Sequence, residues 1–99
     1  MKLKILGKRY TIKEVDSSEL PEGTMGTCNK WDLVIKIAKG QPTEVRRDTL
    51  FHEIEHAIWT ETGLQHGKVT EERCADAHGR AWAAIISDNP ASVIEELFA

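Results

Sequence analysis

The chain has 99 residues, of which 40% are hydrophobic and 29% are charged, and its formal net charge is -3. This length fits one small domain, so we expect a single domain over residues 1–99. The acidic balance provides no electrostatic basis for binding nucleic acid or an anionic membrane surface. No apolar run approaches the roughly 18 residues of a membrane span, and the N-terminus lacks the apolar stretch of a signal peptide. We therefore expect a cytoplasmic protein with two free thiols, Cys28 and Cys74.

Residues 1–40 predict a layer of short strands. Apolar and polar residues alternate in three runs, and segments that contain glycine separate these runs. Gly7-Lys8, between the first two runs, predicts a hairpin turn. The predicted strands cover residues 2–5, 10–13 and 33–37, and a short segment at 26–28 is able to pair with the last of them.

Residues 43–98 predict helices, because residues that favour helix ends bracket each segment. The predicted helices cover residues 43–62, with Thr43 as N-cap and Gly63 as stop, residues 71–88, capped by Thr70, and residues 91–98, preceded by Asn89-Pro90. Strands followed by helices indicate an α+β fold. We expect a small, mostly antiparallel sheet of about three strands, two long helices and a short C-terminal helix.

The stretch HEIEH, from His52 to His56, has the spacing of a zinc site. Positions four apart lie about 40° apart on one helical face, so both histidines can direct a ring nitrogen at one ion. Zinc accepts histidine nitrogen at about 2.0–2.1 Å in tetrahedral geometry. Glu53 lies beside that point and can accept a proton from water instead of binding the ion. The histidines lie opposite the apolar stripe of this helix, which consists of Leu50, Phe51, Ile54, Ala57 and Ile58.

A catalytic zinc site needs a third protein ligand and one open position. The downstream candidates are His66, Glu71, Glu72 and His78. The expected core face of the second helix consists of Ala75, Gly79, Trp82, Ala83 and Ile86. Glu72 lies within about 60° of most of that face, so it is the preferred third ligand, with Glu71 as the alternative. Asp76, one turn after Glu72, is a candidate to hold His52 in the required tautomer by a hydrogen bond.

HEIEH, followed by ERCAD at the start of the next helix, resembles the gluzincins, in which a glutamate on that helix completes the HExxH motif. The layout is also similar to the minimal zincin domains of bacteria and phages, such as the ImmA/IrrE-like metallopeptidases. The resemblance implies that His52, His56 and Glu72 are ligands of Zn2+. It further implies that Glu53 is the general base and acid, and that Asp76 positions a ligating histidine.

The resemblance leaves several side chains without a role. It assigns no group that stabilises the transition state, for which the chain offers Tyr10, His66, His78 and Arg80. Glu55 is charged where many family members have a small or apolar residue, so we expect it in solvent at the cleft edge. The three tryptophans are expected to pack in the core or between helices, with Trp59 also placed to wall the cleft.

The preferred hypothesis from the sequence is a zinc-dependent peptidase that acts on a peptide or protein substrate. An extended substrate would add as a strand to a sheet edge, for which residues 26–29 are the candidate. One alternative is a zinc-binding module of phage or mobile-element type that acts by interaction without turnover. Another is a metal-free helical interaction domain. The sequence does not decide the substrate or the oligomeric state.

Overall fold

The structure, a computed structural model, describes residues 1–63 and 70–99, and within these ranges it contains four strands and three α-helices. The strands are β1 (Lys2–Ile5), β2 (Lys8–Val15), β3 (Gly26–Asn29) and β4 (Val34–Ala38). The helices are α1 (Thr43–Thr62), α2 (Glu71–Asp88) and α3 (Ala91–Leu97), and a short 3-10 helix covers Ser17–Glu19. The α+β class is therefore confirmed. None of these helices has the length and apolar character needed to cross a bilayer.

The four strands form one mixed sheet in the order β1-β2-β4-β3. β1 pairs with β2 and β3 pairs with β4 in antiparallel fashion, whereas β2 and β4 are parallel. The first hairpin turns at Leu6-Gly7, one residue earlier than predicted. Both residues have positive φ, 48° and 88°, as expected for a turn that follows the right-handed twist of its strands. The predicted short strand at 26–28 is confirmed as β3, which lies at one edge of the sheet.

The end of α1 and the start of α2 follow local sequence signals, whereas the start of α1 does not. Gly63 ends α1 in the left-handed conformation with φ of 72°, as predicted. The side chain of Thr70 caps α2 by accepting a hydrogen bond from the backbone N–H of Arg73 at 3.1 Å. Thr43 is the first residue of α1 and not its N-cap, because Pro42 takes the extended conformation that precedes the helix.

The apolar stripe of α1 packs over β3 and β4 and forms the centre of the core. Leu50, Ile54, Ala57 and Ile58 are fully buried, as the spacing predicts. Phe51 is half-buried and makes edge-to-face contacts with Trp82 and Phe98, at centroid distances of 5.6 and 5.5 Å. These contacts join α1 to α2 and to the end of α3.

α2 turns a different face toward the core from the one predicted. Ala81 and Ile85 are its buried residues, and Trp82 is half-buried as expected. The exposed residues include four members of the predicted core face, namely Ala75, Gly79, Ala83 and Ile86. The apolar residues of this helix are grouped around Ala81 and Ile85, whereas the predicted face included Gly79 and Ala83, which lie on the polar side with Glu72 and Asp76. Polar contacts from His78 and Trp82 to Glu55 of α1 support this rotation.

The side chain of Asn89 joins the end of α2 to β1. Its Oδ1 accepts a hydrogen bond from the backbone N–H of Lys4 at 2.8 Å. Its Nδ2 donates to the carbonyl oxygens of Lys4 at 2.9 Å and of Ile85 at 2.7 Å. Asn89 was predicted as the N-cap of the last helix, but this position is held by Pro90. The side-chain amide of Asn89 does not cap a helix N-terminus; it forms hydrogen bonds with backbone groups of β1 and α2.

Replacement of Asn89 by alanine removes all three hydrogen bonds and leaves backbone groups of Lys4 and Ile85 without this partner. We expect Asn89→Ala to lower the free energy of unfolding by about 2 kcal/mol, measured by urea denaturation. Ser87→Ala, at an exposed position of the same helix, is the matched control and should change it by less than about 0.5 kcal/mol. Equal effects of the two substitutions would contradict the role of Asn89.

Candidate functional site

His52 and His56 converge on one point on the exposed face of α1. Their Nε2 atoms lie 3.2 Å apart, and their rings are nearly perpendicular, with an interplanar angle of 83°. Two nitrogens that bind one zinc ion tetrahedrally at about 2.0–2.1 Å are about 3.3 Å apart. The spacing of the pair therefore matches the spacing that a shared zinc ion requires. A direct hydrogen bond between the two rings is equally compatible with this distance.

Glu53 is buried between α1 and the edge strand β3, and only 6% of its surface is exposed. The close approach depends on Gly26, the first residue of β3. A Cβ atom at this position would lie 2.9 Å from Cγ2 of Thr49 and 3.1 Å from both Cγ and Oε2 of Glu53. Burial raises the pKa of Glu53, while His56 and His52 act in the opposite direction. The carboxylate is thus held in a fixed place beside the histidines, and the raised pKa makes it a stronger base.

Two cavities open on either side of Glu53. The first, the Trp31 cleft, has a volume of about 720 Å3 and is lined by Cys28, Trp31, Glu53, His56 and Trp59, among others. The second, the Met25 cleft, has a volume of about 410 Å3 and is lined by Met25, Gly26, Asp48, His52 and Glu53, among others. Because β3 borders both, the clefts form a groove along the edge of the sheet with the carboxylate at its midpoint.

Trp59 lines the groove as predicted, whereas Trp31 does not pack in the core. Trp31 is 85% exposed at the turn between β3 and β4. The side chain of Asn29 determines this turn, since its Oδ1 accepts hydrogen bonds from the backbone N–H groups of Trp31 at 2.9 Å and Asp32 at 3.1 Å. The local turn chemistry therefore prevails over the tendency of tryptophan to be buried.

A polar cluster on the other flank of α1 ties this helix to α2. Glu55 accepts a hydrogen bond from Nε1 of Trp82 at 2.8 Å and pairs with Nδ1 of His78 at 2.5 Å. His78 also contacts the ring of Trp59 edge-to-face, at 5.2 Å between centroids. Glu55 was predicted in solvent, but it is the acceptor that links the two helices. One signal in the sequence was available, because His78 and Trp82 are four residues apart and lie on one helical face.

Among the residues that the structure describes, the histidine pair has no third metal ligand beside it. Within residues 1–63 and 70–99, no group of three or more His, Cys, Asp or Glu side chains is arranged to hold a metal ion. Glu71, Glu72 and Asp76 are exposed on α2. Glu72 precedes His78 by six residues, about 9 Å of helix, and so lies toward the C-terminal end of α1. His66 falls outside the described residues. The assignments of Glu72, Glu71 and Asp76 therefore stay predictions.

The remaining candidates for stabilising a transition state do not share one environment. Tyr10 is fully buried, and its hydroxyl donates to Oε1 of Glu61 at 3.1 Å. Burial and Glu61 raise the pKa of Tyr10, so the hydroxyl stays protonated in the core. His78 is engaged with Glu55, and Arg80 is exposed on α2. None of these three lines the Trp31 or the Met25 cleft.

The described residues fit a zinc ion in part. The paired histidine nitrogens have the correct identity and spacing, and the buried Glu53 stands beside them. Two ligands are thus ready-made on one helical face. The sequence-based candidates for the third donor remain Glu72 and Glu71, which are exposed on α2.

Gly26→Ala tests whether the contact between β3 and α1 holds Glu53 in place. We expect the added methyl group to lower the free energy of unfolding by about 1–3 kcal/mol, because it meets Thr49 and Glu53 at less than contact distance. Gly79→Ala is the control, since a Cβ there meets nothing within 4 Å. This control should stabilise the exposed helix by up to about 1 kcal/mol. Urea denaturation of both variants measures the difference, and a stabilising effect of Gly26→Ala would refute the close contact.

Cys28 should react slowly with thiol reagents in the folded protein. Burial, together with Glu53 and Glu61, raises the pKa of this thiol to about 11. Since the thiolate is the reactive form, alkylation by iodoacetamide at pH 8.5 should be about 100-fold slower than in unfolded protein. The measurement uses a Cys74→Ser background with a chelator present, so that one thiol reacts and no metal competes for it. Equal rates with and without urea would disprove the raised pKa.

Comparison with known proteins identifies no relative of this chain. No protein-family model, no curated protein and no solved structure matches it. What the site does must therefore be inferred from its own geometry: a histidine pair at zinc spacing, a buried carboxylate beside it, and an open groove along an edge strand.

Proposed function

We propose that the protein is a zinc-dependent peptidase with His52 and His56 as zinc ligands and Glu53 as general base and acid. The observation that carries the proposal is the separation of 3.2 Å between the two Nε2 atoms, combined with the buried position of Glu53. A third ligand, Glu72 or alternatively Glu71, completes the site in this proposal. Zn2+ would supply a Lewis acid that activates water and polarises a peptide carbonyl.

Glu53 carries out the proton transfers in this mechanism. Its carboxylate accepts the proton of the attacking water and delivers it to the amine that leaves. Burial against Gly26 keeps the carboxylate in one orientation beside the two histidines. Glu53 is buried, whereas His52 and His56 are exposed, so a substrate can reach the site from the side of the histidines.

The edge strand β3 provides the means to hold an extended substrate. β3 pairs with β4 on one side only, since it ends the strand order. A peptide that adds to its outer side forms backbone hydrogen bonds with little selectivity for sequence. This places the peptide backbone along the groove that contains Glu53, between the Met25 and Trp31 clefts. The substrate class that fits is an extended or unfolded polypeptide segment.

A second candidate function is a zinc-binding module that acts by interaction without turnover. It is favoured by one observation, namely that the described residues bring two ligands together and not three. In that case a side chain of a partner protein would complete the site. The two functions differ in whether a bound polypeptide stays intact on prolonged incubation.

The proposal is tested by replacing Glu53 and measuring both metal and turnover. Glu53→Gln should keep one zinc per chain by elemental analysis, because Glu53 is not a ligand. It should lower kcat on quenched-fluorescence peptides by at least about 100-fold, because the general base is lost. Glu44→Gln, at an exposed position in the first turn of the same helix, is the control with unchanged activity. Equal turnover by the wild type and Glu53→Gln would refute the peptidase mechanism.

The same measurements separate the alternatives for the metal site. His52→Ala and His56→Ala should each lose zinc at low micromolar concentration, and zinc content that is unaffected by both would favour a metal-free domain. Glu72→Ala should weaken zinc binding more than Glu71→Ala does, and the reverse order would assign Glu71. Zinc binding without cleavage of any peptide, with a stable complex on a sizing column, would favour the interaction module.

A further inference from the structure

Two tryptophans face the Trp31 cleft from different elements. Trp31 comes from the turn after β3, and Trp59 comes from α1, one turn beyond His56. The same cleft contains Glu53 and His56, so this aromatic wall adjoins the proposed centre of the chemistry. Neither ring has a role in the mechanism proposed above.

The exposure of Trp31 is built into the fold. Besides accepting two backbone N–H groups, Asn29 donates from Nδ2 to Oδ2 of Asp32 at 3.1 Å. Leu33, which ends the turn, has a positive φ of 56°, a conformation that residues other than glycine seldom adopt. These constraints hold Trp31 on the surface at 85% exposure, although a large aromatic ring gains most from burial. The ammonium group of Lys30 lies 5.4 Å from the centroid of this ring, and the rest of the ring is accessible to a ligand in the cleft without rearrangement of the turn.

The geometry of a strand determines which part of a peptide reaches the cleft. Side chains of an added strand point alternately to the two faces of the sheet, so those on the side of α1 are about 7 Å apart. The Met25 and Trp31 clefts both lie on that side and share Glu53 as a lining residue. A peptide along β3 thus places one side chain in each cleft, on either side of the carboxylate. The Trp31 cleft is the larger of the two and has two aromatic walls.

We infer that Trp31 and Trp59 bind an aromatic side chain of the substrate, and that this contact determines where the peptide lies on the site. The inference deepens the proposed function, on which it rests for the nature of the ligand. Aromatic pairs in edge-to-face or offset contact bind more tightly than their buried area alone provides. We therefore expect a phenylalanine in this position to improve binding about tenfold over alanine.

The test is a titration of the Glu53→Gln protein, which keeps the cleft but does not depend on turnover. The probe is acetyl-Ala-Ala-Phe-Ala-amide, with acetyl-Ala-Ala-Ala-Ala-amide as its partner lacking the ring. The three indole N–H signals in a 1H–15N spectrum are the local reporters. The signals of Trp31 and Trp59 should shift with the Phe peptide, whereas that of Trp82, hydrogen-bonded to Glu55 on the other flank of α1, should not.

Two variants complete the design. Trp31→Ala, at an exposed position, should keep the thermal midpoint of the parent and abolish the tenfold preference for the Phe peptide. Met25→Ala, which removes a 47% exposed side chain from the neighbouring cleft, should preserve the preference. The inference is overturned if the Phe and Ala peptides bind equally, or if the preference survives in Trp31→Ala. Because the readout is binding, this failure is distinct from the failure of the proposed peptidase, which is an absence of cleavage by the wild type.

Discussion

The close contact between Gly26 of β3 and the Thr49–Glu53 side of α1 is the constraint on which the rest of the site depends. Without a side chain at Gly26, the edge strand approaches the helix closely enough to cover the carboxylate of Glu53. Two contacts determine the rotation of α1 about its axis: this one with β3, and the packing of the apolar stripe in the core. With both fixed, His52 and His56 have only the exposed face left, where their nitrogens converge. The absence of a side chain at Gly26 thus allows the contact between β3 and α1 on which the position of the histidine pair depends.

The other flank of α1 is fixed by a charged group. Glu55 lies between α1 and α2, where it accepts a hydrogen bond from Nε1 of Trp82 and pairs with Nδ1 of His78. A carboxylate that is partly removed from water needs such donors to offset its lost hydration. The consequence for α2 is a defined rotation and a defined position along α1. In that position the helix offers His78 and Trp82 to α1, and Glu71 and Glu72 in its first turn are exposed.

Local patterns predicted most of the fold, and the main error was the rotation of α2. Alternation identified the strands, and Gly63, Thr70 and the apolar stripe defined α1 and the start of α2. The predicted rotation of α2 was wrong because its core face was placed over Gly79 and Ala83, on the polar side of the helix, and not over Ala81 and Ile85. Its true orientation depends on Glu55, which is 23 residues from His78 in the sequence.

Within the candidate site, the spacing of His52, Glu53 and His56 was sufficient to predict that these three side chains lie together. This holds because residues one and four apart on a helix have a fixed relation whatever surrounds them. The burial of Glu53 was not predictable, since it requires a glycine on a strand 27 residues earlier. The surface position of Trp31 was missed for a different reason. Hydrophobicity favoured the core, but the side chain of Asn29 determines the turn.

The hydrogen bonds between Asn89 and β1 affect which edge of the sheet is able to pair with another strand. An exposed sheet edge is a template for self-association, and natural proteins commonly obstruct it. At one end of this sheet, the amide of Asn89 occupies both backbone groups of Lys4 and obstructs strand addition there. At the opposite end, β3 terminates the sheet beside Glu53. The two edges therefore differ, because strand addition is obstructed at β1 whereas the outer side of β3 pairs with no other strand of the described residues.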